Sequence, residues 1–224
     1  MNTSENENPA LEEMSAFFTA RVNKYDVVHT GHIDGKEKSY IEVANLIPAA
    51  TEKLMDLGCG TGVELEWIFK RLPGIKVTGI DLCPAMLDKL RSKFPNNNNI
   101  ILINADFFNY DLGMDTFDTC ISLMSLHHFS YEGKIGLYKK VYRALTQGGI
   151  YIECDYMVPE QWYEDEFYTE NRRLRAKMGI TEGYYHYDTP CTVANQIKML
   201  INAGFSNIEE VWRIGNTVIL EGKK

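Results

Sequence analysis

A short apolar stretch that runs into three alternating glycines constrains the fold of this chain most. Residues 53–62 read KLMDLGCGTG, and residues 63–72 carry apolar side chains at helical spacing until Pro73 and Gly74 end the pattern. A strand, a glycine turn and a helix in this order begin a nucleotide-binding βαβ unit. The glycines let the backbone approach a ligand, and the helix N-terminus presents its free N–H groups to that ligand.

The spacing of these glycines argues against a dinucleotide as the ligand. The dinucleotide fingerprint is G-x-G-x-x-G, whereas here the third glycine, Gly62, comes one residue early and Val63 takes the expected position. The carboxylate of Asp56, at the mouth of the turn, would repel a pyrophosphate and favour a ligand with positive charge at that point. S-adenosylmethionine carries an ammonium and a sulfonium and has no phosphate.

A second acidic residue supports this interpretation. Residues 75–81 predict a strand that ends in Asp81, which follows Gly60 by 81 − 60 = 21 positions. An acid about 20 residues after such a turn reaches the ribose hydroxyls of a bound nucleotide. The two halves together are a specific signal, whereas either half alone would be weak.

These residues resemble a known family. Residues 56–62 (DLGCGTG) together with residues 79–82 (GIDL) closely resemble the class I S-adenosylmethionine-dependent methyltransferases. By motif, the resemblance covers roughly residues 50–155. It implies S-adenosylmethionine as the cofactor, methyl transfer as the reaction and an α/β, Rossmann-like sheet as the fold. It does not imply a substrate.

The order of predicted elements agrees with that fold class. Further strands are predicted at residues 100–104, 117–126 and 150–154, and a C-terminal hairpin at 208–214 and 217–222. Helices are predicted between them, including one that Gly148 and Gly149 close. Strands that alternate with helices and end in a hairpin predict a mostly parallel sheet with one antiparallel strand and helices on both faces.

The chain divides into an N-terminal lid segment, residues 1–35, and a methyltransferase domain, residues 36–224. In the family that this chain resembles, such an N-terminal segment often folds over the cofactor and a Tyr-Asp pair is common there. Tyr25 and Asp26 match that pair, although the aromatic residues of the segment could equally pack on the core. Residues 155–190 are too long for a simple connection and too aromatic for a linker, so we predict a substrate cap insertion.

The resemblance implies a set of cofactor-binding residues. They are Tyr25, Asp56, Gly58, Cys59, Gly60, Asp81, Leu82, Met86, Asp106, Phe107 and Leu123. Asp56 is expected to orient the ammonium, Asp81 to hold the ribose and Asp106 to accept a hydrogen bond from the adenine amino group. Leu123 could instead be plain core, and Met86 could instead face the sheet.

Methyl transfer needs positioning more than it needs a base, so the substrate leaves a fainter signature. His127 and His128 follow the fourth strand and are the predicted catalytic residues, with one of the two expected to be structural. Tyr156, Tyr184 and His186 are the predicted substrate contacts. His186 and Asp188 could form a carboxylate-oriented base or anchor a loop, and the anchor is favoured.

The composition of the chain limits the classes of partner and cofactor that we expect it to bind. The net charge of −8 disfavours nucleic acid, and the basic run at residues 172–175 is read as a solvated helix face. His29 and His32 have no carboxylate or cysteine at ligand spacing, so no metal is expected. Five scattered cysteines without a C-x-x-C pair indicate reduced thiols.

Without a signal peptide or membrane span, we expect a cytoplasmic protein with no membrane partner. The oligomeric state is left open.

Three functions remain at this point. The first is a methyltransferase that acts on a small molecule, and the second is one that acts on RNA or protein. The acidic charge and the lack of a basic appendage disfavour the second. The third is a non-catalytic nucleotide-binding module or an oxidoreductase on a related sheet. The glycine spacing weighs against an oxidoreductase, and a bare binding module would not explain the aromatic cap.

Overall fold

The computed structural model describes residues 10–28 and 34–224. In chain order its elements are β1 (Glu12–Glu13), α1 (Met14–Arg21), α2 (Tyr25–Val28), α3 (Lys36–Leu46), β2 (Lys53–Leu57), α4 (Val63–Arg71), β3 (Lys76–Asp81), α5 (Pro84–Lys93), β4 (Ile100–Asn104), β5 (Phe117–Leu123), α6 (Tyr131–Ala144), β6 (Leu145–Tyr156), α7 (Gln161–Lys177), β7 (Tyr185–His186), α8 (Val193–Ala203), β8 (Ser206–Ile214) and β9 (Thr217–Lys223). A short 3-10 helix, Leu126–His128, separates β5 from α6. His29 and His32 lie outside the described residues.

A seven-stranded sheet in the order β4-β3-β2-β5-β6-β9-β8 carries the predicted site. Strands β2 to β6 are parallel to one another, and β9 runs antiparallel to both of its neighbours. The predicted fold class, a mostly parallel sheet with one antiparallel strand from a C-terminal hairpin, is confirmed. Leu57 pairs with Ile80 on one side and with Ser122 on the other, so β2, β3 and β5 end at the same edge.

Helices cover both faces of the sheet because each presents an apolar stripe to it. On one face, α3, α4 and α5 contribute Val43, Ala44, Leu65, Ile68, Leu87 and Leu90 to the core. On the other face, α6 and α8 contribute Leu137, Tyr138, Val141, Met199 and Leu200. Since both faces are covered, ligands can reach the sheet only at its edges, where the loops lie.

The junction of α6 and β6 differs from the expectation. The glycine pair was predicted to close the helix, but α6 ends at Ala144 and the strand begins at once with Leu145. Leu145 is fully buried and pairs with Phe117, which draws the chain directly into the sheet. Gly148, at φ +77°, therefore lies within the long strand, where the register between β5 and β6 shifts.

The N-terminal segment and the predicted cap meet above this edge. Glu12 and Glu13 of β1 pair antiparallel with His186 and Tyr185 of β7, which forms a separate two-stranded sheet. We call this pair of strands the clasp. Within the described ranges, no helix is long and apolar enough to cross a membrane. The boundaries of the lid segment and of the cap stay predictions.

Candidate functional site

The glycine turn between β2 and α4 lies at the carboxyl edge of the sheet. Gly58 has φ +74°, and a Cβ at this position would lie 2.6 Å from Ser125 Oγ, so a larger residue does not fit. The N–H of Gly58 donates to the carbonyl of Ile80 at 2.8 Å, which ties the turn to β3. The turn thus brings its backbone to the position where open α/β sheets bind ligands.

Asp81, at the end of β3, links the glycine turn to the start of α5. Its Oδ2 accepts the N–H of Gly60 at 2.9 Å, and its Oδ1 accepts the N–H of Cys83 at 2.8 Å. Burial raises the pKa of Asp81, although the two N–H groups oppose that shift. Asp81 also lines the cleft above the turn. Its contact with the ribose stays a prediction.

A cleft with an empty volume of about 540 Å³ opens above the glycine turn. The predicted cofactor residues that line it are Tyr25, Gly58, Gly60, Asp81, Leu82, Met86, Phe107 and Leu123. Met86 and Leu123 are buried as well, so each contributes both to the core and to the cleft wall. The structure therefore brings most of the predicted set together around one space.

Three predicted cofactor residues do not line the cleft. Asp56 is buried beneath the turn, and the Cys59 thiol packs so closely on Gly79 that a Cβ there would lie 2.8 Å from its sulfur. The carboxylate of Asp106 accepts hydrogen bonds from the backbone of Phe108 at 2.8 Å and from the Tyr184 hydroxyl at 3.1 Å. Its predicted contact with adenine stays a prediction.

Asp56 lies beside a second buried acid, Glu64, in the first turn of α4. Burial and the proximity of Glu64 raise the pKa of Asp56 well above its ordinary value. Burial also raises the pKa of Glu64, to about 7. Asp56 Oδ2 and Glu64 Oε1 are both buried without a hydrogen-bond partner among the residues that the structure describes. Two acids buried this close together ionise only at a cost, and a cationic group nearby, such as an ammonium, would lower that cost.

The N-terminal segment covers the cleft. Met14 and Phe18, one helical turn apart on α1, line the cleft together with Tyr25. Asp26 anchors this cover because its carboxylate accepts the Thr61 hydroxyl at 2.6 Å and lies 2.8 Å from Lys93 Nζ. The predicted Tyr-Asp pair thus has two tasks in the structure: one residue faces the ligand space and the other holds the segment on the glycine turn.

His127 is held by a buried carboxylate at the end of β6. Its Nδ1 contacts Asp155 Oδ1, while Asp155 Oδ2 accepts the backbone N–H of Leu126 at 2.9 Å and of His127 at 3.0 Å. Burial alone would lower the pKa of His127, but Asp155 outweighs it and the pKa is raised. The pKa of Asp155 is lowered for the reciprocal reason, against its own burial. His127 is therefore fixed in place and does not line the cleft.

His128 lines the cleft, next to Met124 and Ser125. Its Nδ1 lies 3.2 Å from Asp188 Oδ1. Burial and the neighbouring His127 lower the pKa of His128, so its imidazole is neutral near neutral pH. Of the two predicted catalytic residues, the structure thus brings His128 to the ligand space and gives His127 a supporting position.

The predicted substrate contacts have separate surroundings. His186 stacks on Phe17 with ring centroids 3.5 Å apart, and burial lowers the pKa of His186 to about 4. This stacking agrees with the favoured interpretation of His186 as a loop anchor. Tyr184 lies against Phe108 and Phe129 rather than in the cleft, and the ring of Tyr156 is 6.4 Å from that of His127.

His127, His128 and Asp188 are also the group in the described residues that could hold a metal ion. Each offers one ligand atom, and these atoms lie within 4.8 Å of one another. The contact between His127 Nε2 and Asp188 Oδ1, at 3.6 Å, equally suits an ion pair, and the histidines together lower the pKa of Asp188 against its burial. The expectation of no metal stays a prediction.

Several residues of the site were missed from sequence. Met14 and Phe18 are four positions apart, and this helical spacing was the available signal that both could lie on one ligand wall. Asp155 lies near the end of β6, the strand beside β5, and this position was the available signal for its contact with His127. The buried amine of Lys36, 5.5 Å from the Tyr25 ring centroid, gave no signal in the sequence.

The comparisons with known proteins agree with this geometry. A family model described as "Methyltransferase domain" matches residues 54–149. The carboxy-S-adenosyl-L-methionine synthase of Helicobacter hepaticus is 30% identical over 187 residues, which cover 79% of this chain and 77% of that protein. The chain belongs to the class I S-adenosylmethionine-dependent methyltransferase family. The predicted cofactor, S-adenosylmethionine, and the predicted enzyme class are confirmed with it.

Other relatives differ in their acceptors and in length. This methyltransferase is 26% identical over 160 residues to the phosphoethanolamine N-methyltransferase of Plasmodium falciparum, covering 71% of its own chain and 60% of that protein. Among solved structures, PigF with SAH has a TM-score of 0.67 at 20% identity, covering 94% of this chain and 59% of that one. This structural likeness shows the fold alone, and the methyltransferase spans about three fifths of both proteins.

The cleft fits the cofactor of the family on two observations. The adenosyl part needs apolar walls and an acid, which Leu82, Met86 and Asp81 supply. The cationic methionine part is favoured by acids nearby, and Asp56 and Glu64 are both buried beneath the turn. We therefore expect the residues around the glycine turn to hold S-adenosylmethionine.

Proposed function

We propose that this methyltransferase transfers a methyl group to a small-molecule acceptor held beside His128. The observation that carries the proposal is the roof of the cleft. The clasp joins the N-terminal segment to the cap, the N–H of Met14 donates to the carbonyl of Tyr184 at 3.0 Å, and His186 stacks on Phe17. A folded macromolecule would have to displace this roof to reach the strand ends, whereas a small molecule needs only a brief opening.

For methyl transfer, the protein must mainly hold the acceptor and the methyl donor in the right relative position. When bound, S-adenosylmethionine supplies a methyl group on a sulfonium, which an acceptor nucleophile attacks in line. Apolar side chains such as Phe18, Phe107 and Phe129 exclude water from the cleft. His128 is neutral near neutral pH because its pKa is lowered, so its imidazole can take a proton from the acceptor. His127 and Asp155 fix the segment that carries His128.

The rest of the molecule supports an acceptor without a polyanionic backbone. The net charge of −8 opposes binding of RNA, whose affinity depends on phosphate neutralisation. The cap contributes further acids, such as Asp165 and Glu166 on α7. All five cysteines are buried and unpaired, which supports a reducing, cytoplasmic location for the enzyme.

The test is turnover with a cell extract that has been separated by size. The enzyme is incubated with S-adenosylmethionine and each fraction, and formation of S-adenosylhomocysteine is followed by mass spectrometry. We expect turnover with the low-molecular-mass fraction and its loss in His128→Ala. Turnover confined to the RNA or protein fraction would contradict the small-molecule assignment while leaving the family membership intact.

A further inference from the structure

A second hollow adjoins the cofactor cleft on the side of the cap. It is an open groove with an empty volume of about 1780 Å³, bounded by the start of α6, by α7 and by the segment that leads into β7. His128 and Phe129 line both this groove and the cofactor cleft. The two spaces therefore meet at the residue that is proposed to contact the acceptor nucleophile.

Helix α7 turns two of its three arginines towards this groove. Arg172 and Arg175, three positions apart and hence on one face of the helix, line it. Arg173 points elsewhere and forms a two-pronged pair with Glu170, with both N–O distances at 2.6 Å. The basic run that the sequence analysis read as a solvated helix face is thus divided between a paired arginine and two groove residues.

Neither groove arginine has a carboxylate partner among the residues that the structure describes. Arg172 donates only to the Thr169 hydroxyl at 3.0 Å, and Arg175 donates to the carbonyl of Gly183 at 3.3 Å. Most other described arginines face an acid. These pairs are Arg21 with Glu12, Arg91 with Asp88, Arg143 with Asp111, Arg173 with Glu170 and Arg213 with Glu210.

Two acids of the same helix, Glu164 and Asp165, line the other end of the groove. Glu164 accepts the N–H of Thr192 at 2.6 Å, and Asp165 accepts a hydrogen bond from Gln161 at 3.0 Å. Seven residues separate Asp165 from Arg172, which is roughly 10 Å along a helix. That distance is about a Debye length at physiological salt, so these acids do not neutralise the arginine end.

An aromatic ring lies beside the arginine end of the groove. Tyr184 and Tyr185 line the groove there, and the Arg175 guanidinium lies 5.4 Å from the Tyr185 ring centroid. This contact and the bond to Gly183 restrict the guanidinium to the groove side of the helix. A planar guanidinium that is held in place and lacks an acid is suited to bind a carboxylate or phosphate through paired hydrogen bonds.

We propose that the groove is the acceptor subsite of this enzyme and that Arg172 and Arg175 bind an anionic group, a carboxylate or a phosphate, on the acceptor. The proposal rests on the proposed function, because it assigns the acceptor of the same reaction. The acceptor then extends from the arginine pair to the junction at His128. Net protein charge does not oppose this, since one small anion responds to local partners within a Debye length.

The first experiment asks for the charge of the acceptor itself. The low-molecular-mass extract is passed over an anion-exchange resin, and the bound and unbound fractions are assayed for formation of S-adenosylhomocysteine. We expect the acceptor to be in the bound fraction, and phosphatase treatment of that fraction distinguishes a phosphate from a carboxylate. Acceptor activity in the unbound fraction would overturn the proposal. Activity only in macromolecular fractions would instead overturn the proposed function.

The second experiment compares matched variants of the full chain. Arg175→Gln and Arg172→Gln should each raise the KM for the bound-fraction acceptor about tenfold, with kcat and S-adenosylhomocysteine affinity little changed. Arg173→Gln removes the same charge from the same helix outside the groove and is the control. Equal KM values in all three variants would refute the arginine subsite.

A readout without turnover completes the test. Inorganic phosphate and acetate are titrated into the enzyme with S-adenosylhomocysteine present, and the side-chain NMR signals of its arginines are followed. We expect saturable shifts of Arg172 and Arg175 signals that exceed those of Arg173. No selective shift with either anion would count against the subsite even if no fraction supports turnover.

Discussion

The hydrogen bonds of Asp81 give the sharpest prediction about cofactor binding. We expect Asp81→Ala to weaken the binding of S-adenosylhomocysteine, because the carboxylate both lines the cleft and holds the glycine turn through Gly60. A hydrogen bond to a charged group contributes about 1.5–3 kcal/mol. Since about 1.4 kcal/mol corresponds to a factor of ten, loss of one such bond to the ribose should weaken binding about 10- to 150-fold.

The loss of the hydrogen bonds that hold the glycine turn should weaken binding further. Without the carboxylate, the N–H groups of Gly60 and Cys83 lose the acceptors that they have at 2.9 Å and 2.8 Å, and the turn is less well held before the ligand arrives. The expected effect of Asp81→Ala therefore lies in the upper part of the range. Asp81→Asn keeps the shape but not the charge, and we expect it to lie between the alanine variant and the unaltered enzyme.

Titration calorimetry with S-adenosylhomocysteine measures these affinities directly, and circular dichroism checks that each variant is folded. Asp88→Asn is the matched control, because Asp88 lies on α5, outside the cleft, and pairs with Arg91 at 2.6 Å. It removes the same charge without touching the site. If Asp81→Ala binds within about threefold of Asp88→Asn, then the carboxylate does not contact the ligand and the reasoning fails.

Three further predictions concern the histidines, the buried ion pair and the lid. His128→Ala should abolish most turnover with little loss of stability. His127→Ala should lower the free energy of unfolding, measured with urea, by about 3 kcal/mol because Asp155 loses its charged partner. Equal stability of the two variants would contradict this. The folded pKa of Asp155 is lowered and that of His127 is raised, so the pair stabilises fully between their unfolded values of about 3.9 and about 6.5. The contribution of the pair to stability falls as the pH drops through the folded pKa of Asp155 or rises through that of His127. The difference in free energy of unfolding between the unaltered enzyme and Asp155→Asn, measured against pH, should show this window rather than a constant value. Hydrogen exchange across residues 11–28 should slow when S-adenosylhomocysteine is added, because α1 and Tyr25 line the cleft; unchanged exchange would mean that the segment does not respond to the ligand.

Local sequence patterns were enough to predict the sheet and much of the ligand space. The glycine turn, Asp81 and the run of alternating elements each depend on neighbours within a few residues or on a fixed spacing. Pairing of β2 with β3 and β5 then follows from the fold class, and with it the position of Leu123 at the same cleft as Gly58. These residues could be placed because local geometry and overall topology require the same arrangement.

Contacts between distant segments could not be predicted in this way. Asp188 faces His127 and His128 rather than forming a pair with His186, because His186 is drawn away to stack on Phe17. The partner of that stacking lies 169 residues earlier in the chain (186 − 17 = 169). Likewise, nothing in the run at residues 172–175 distinguishes Arg173 from its neighbours until the helix register and the position of Glu170 are known.

The clasp has a consequence for the order of events in each catalytic cycle. Two-residue strands are marginal by themselves, and the pairing of β1 with β7 is supported mainly by the Phe17–His186 stack and the bond from Met14 to Tyr184. The clasp therefore separates more easily than the seven-stranded sheet below it. The clasp joins the segment over the cofactor cleft to the segment beside the groove, so we expect its opening to admit acceptor and to release spent cofactor in the same movement. We expect product departure and substrate arrival to depend on this one opening, and changes in Glu12 or Glu13 to alter its rate without touching the methyl-transfer step.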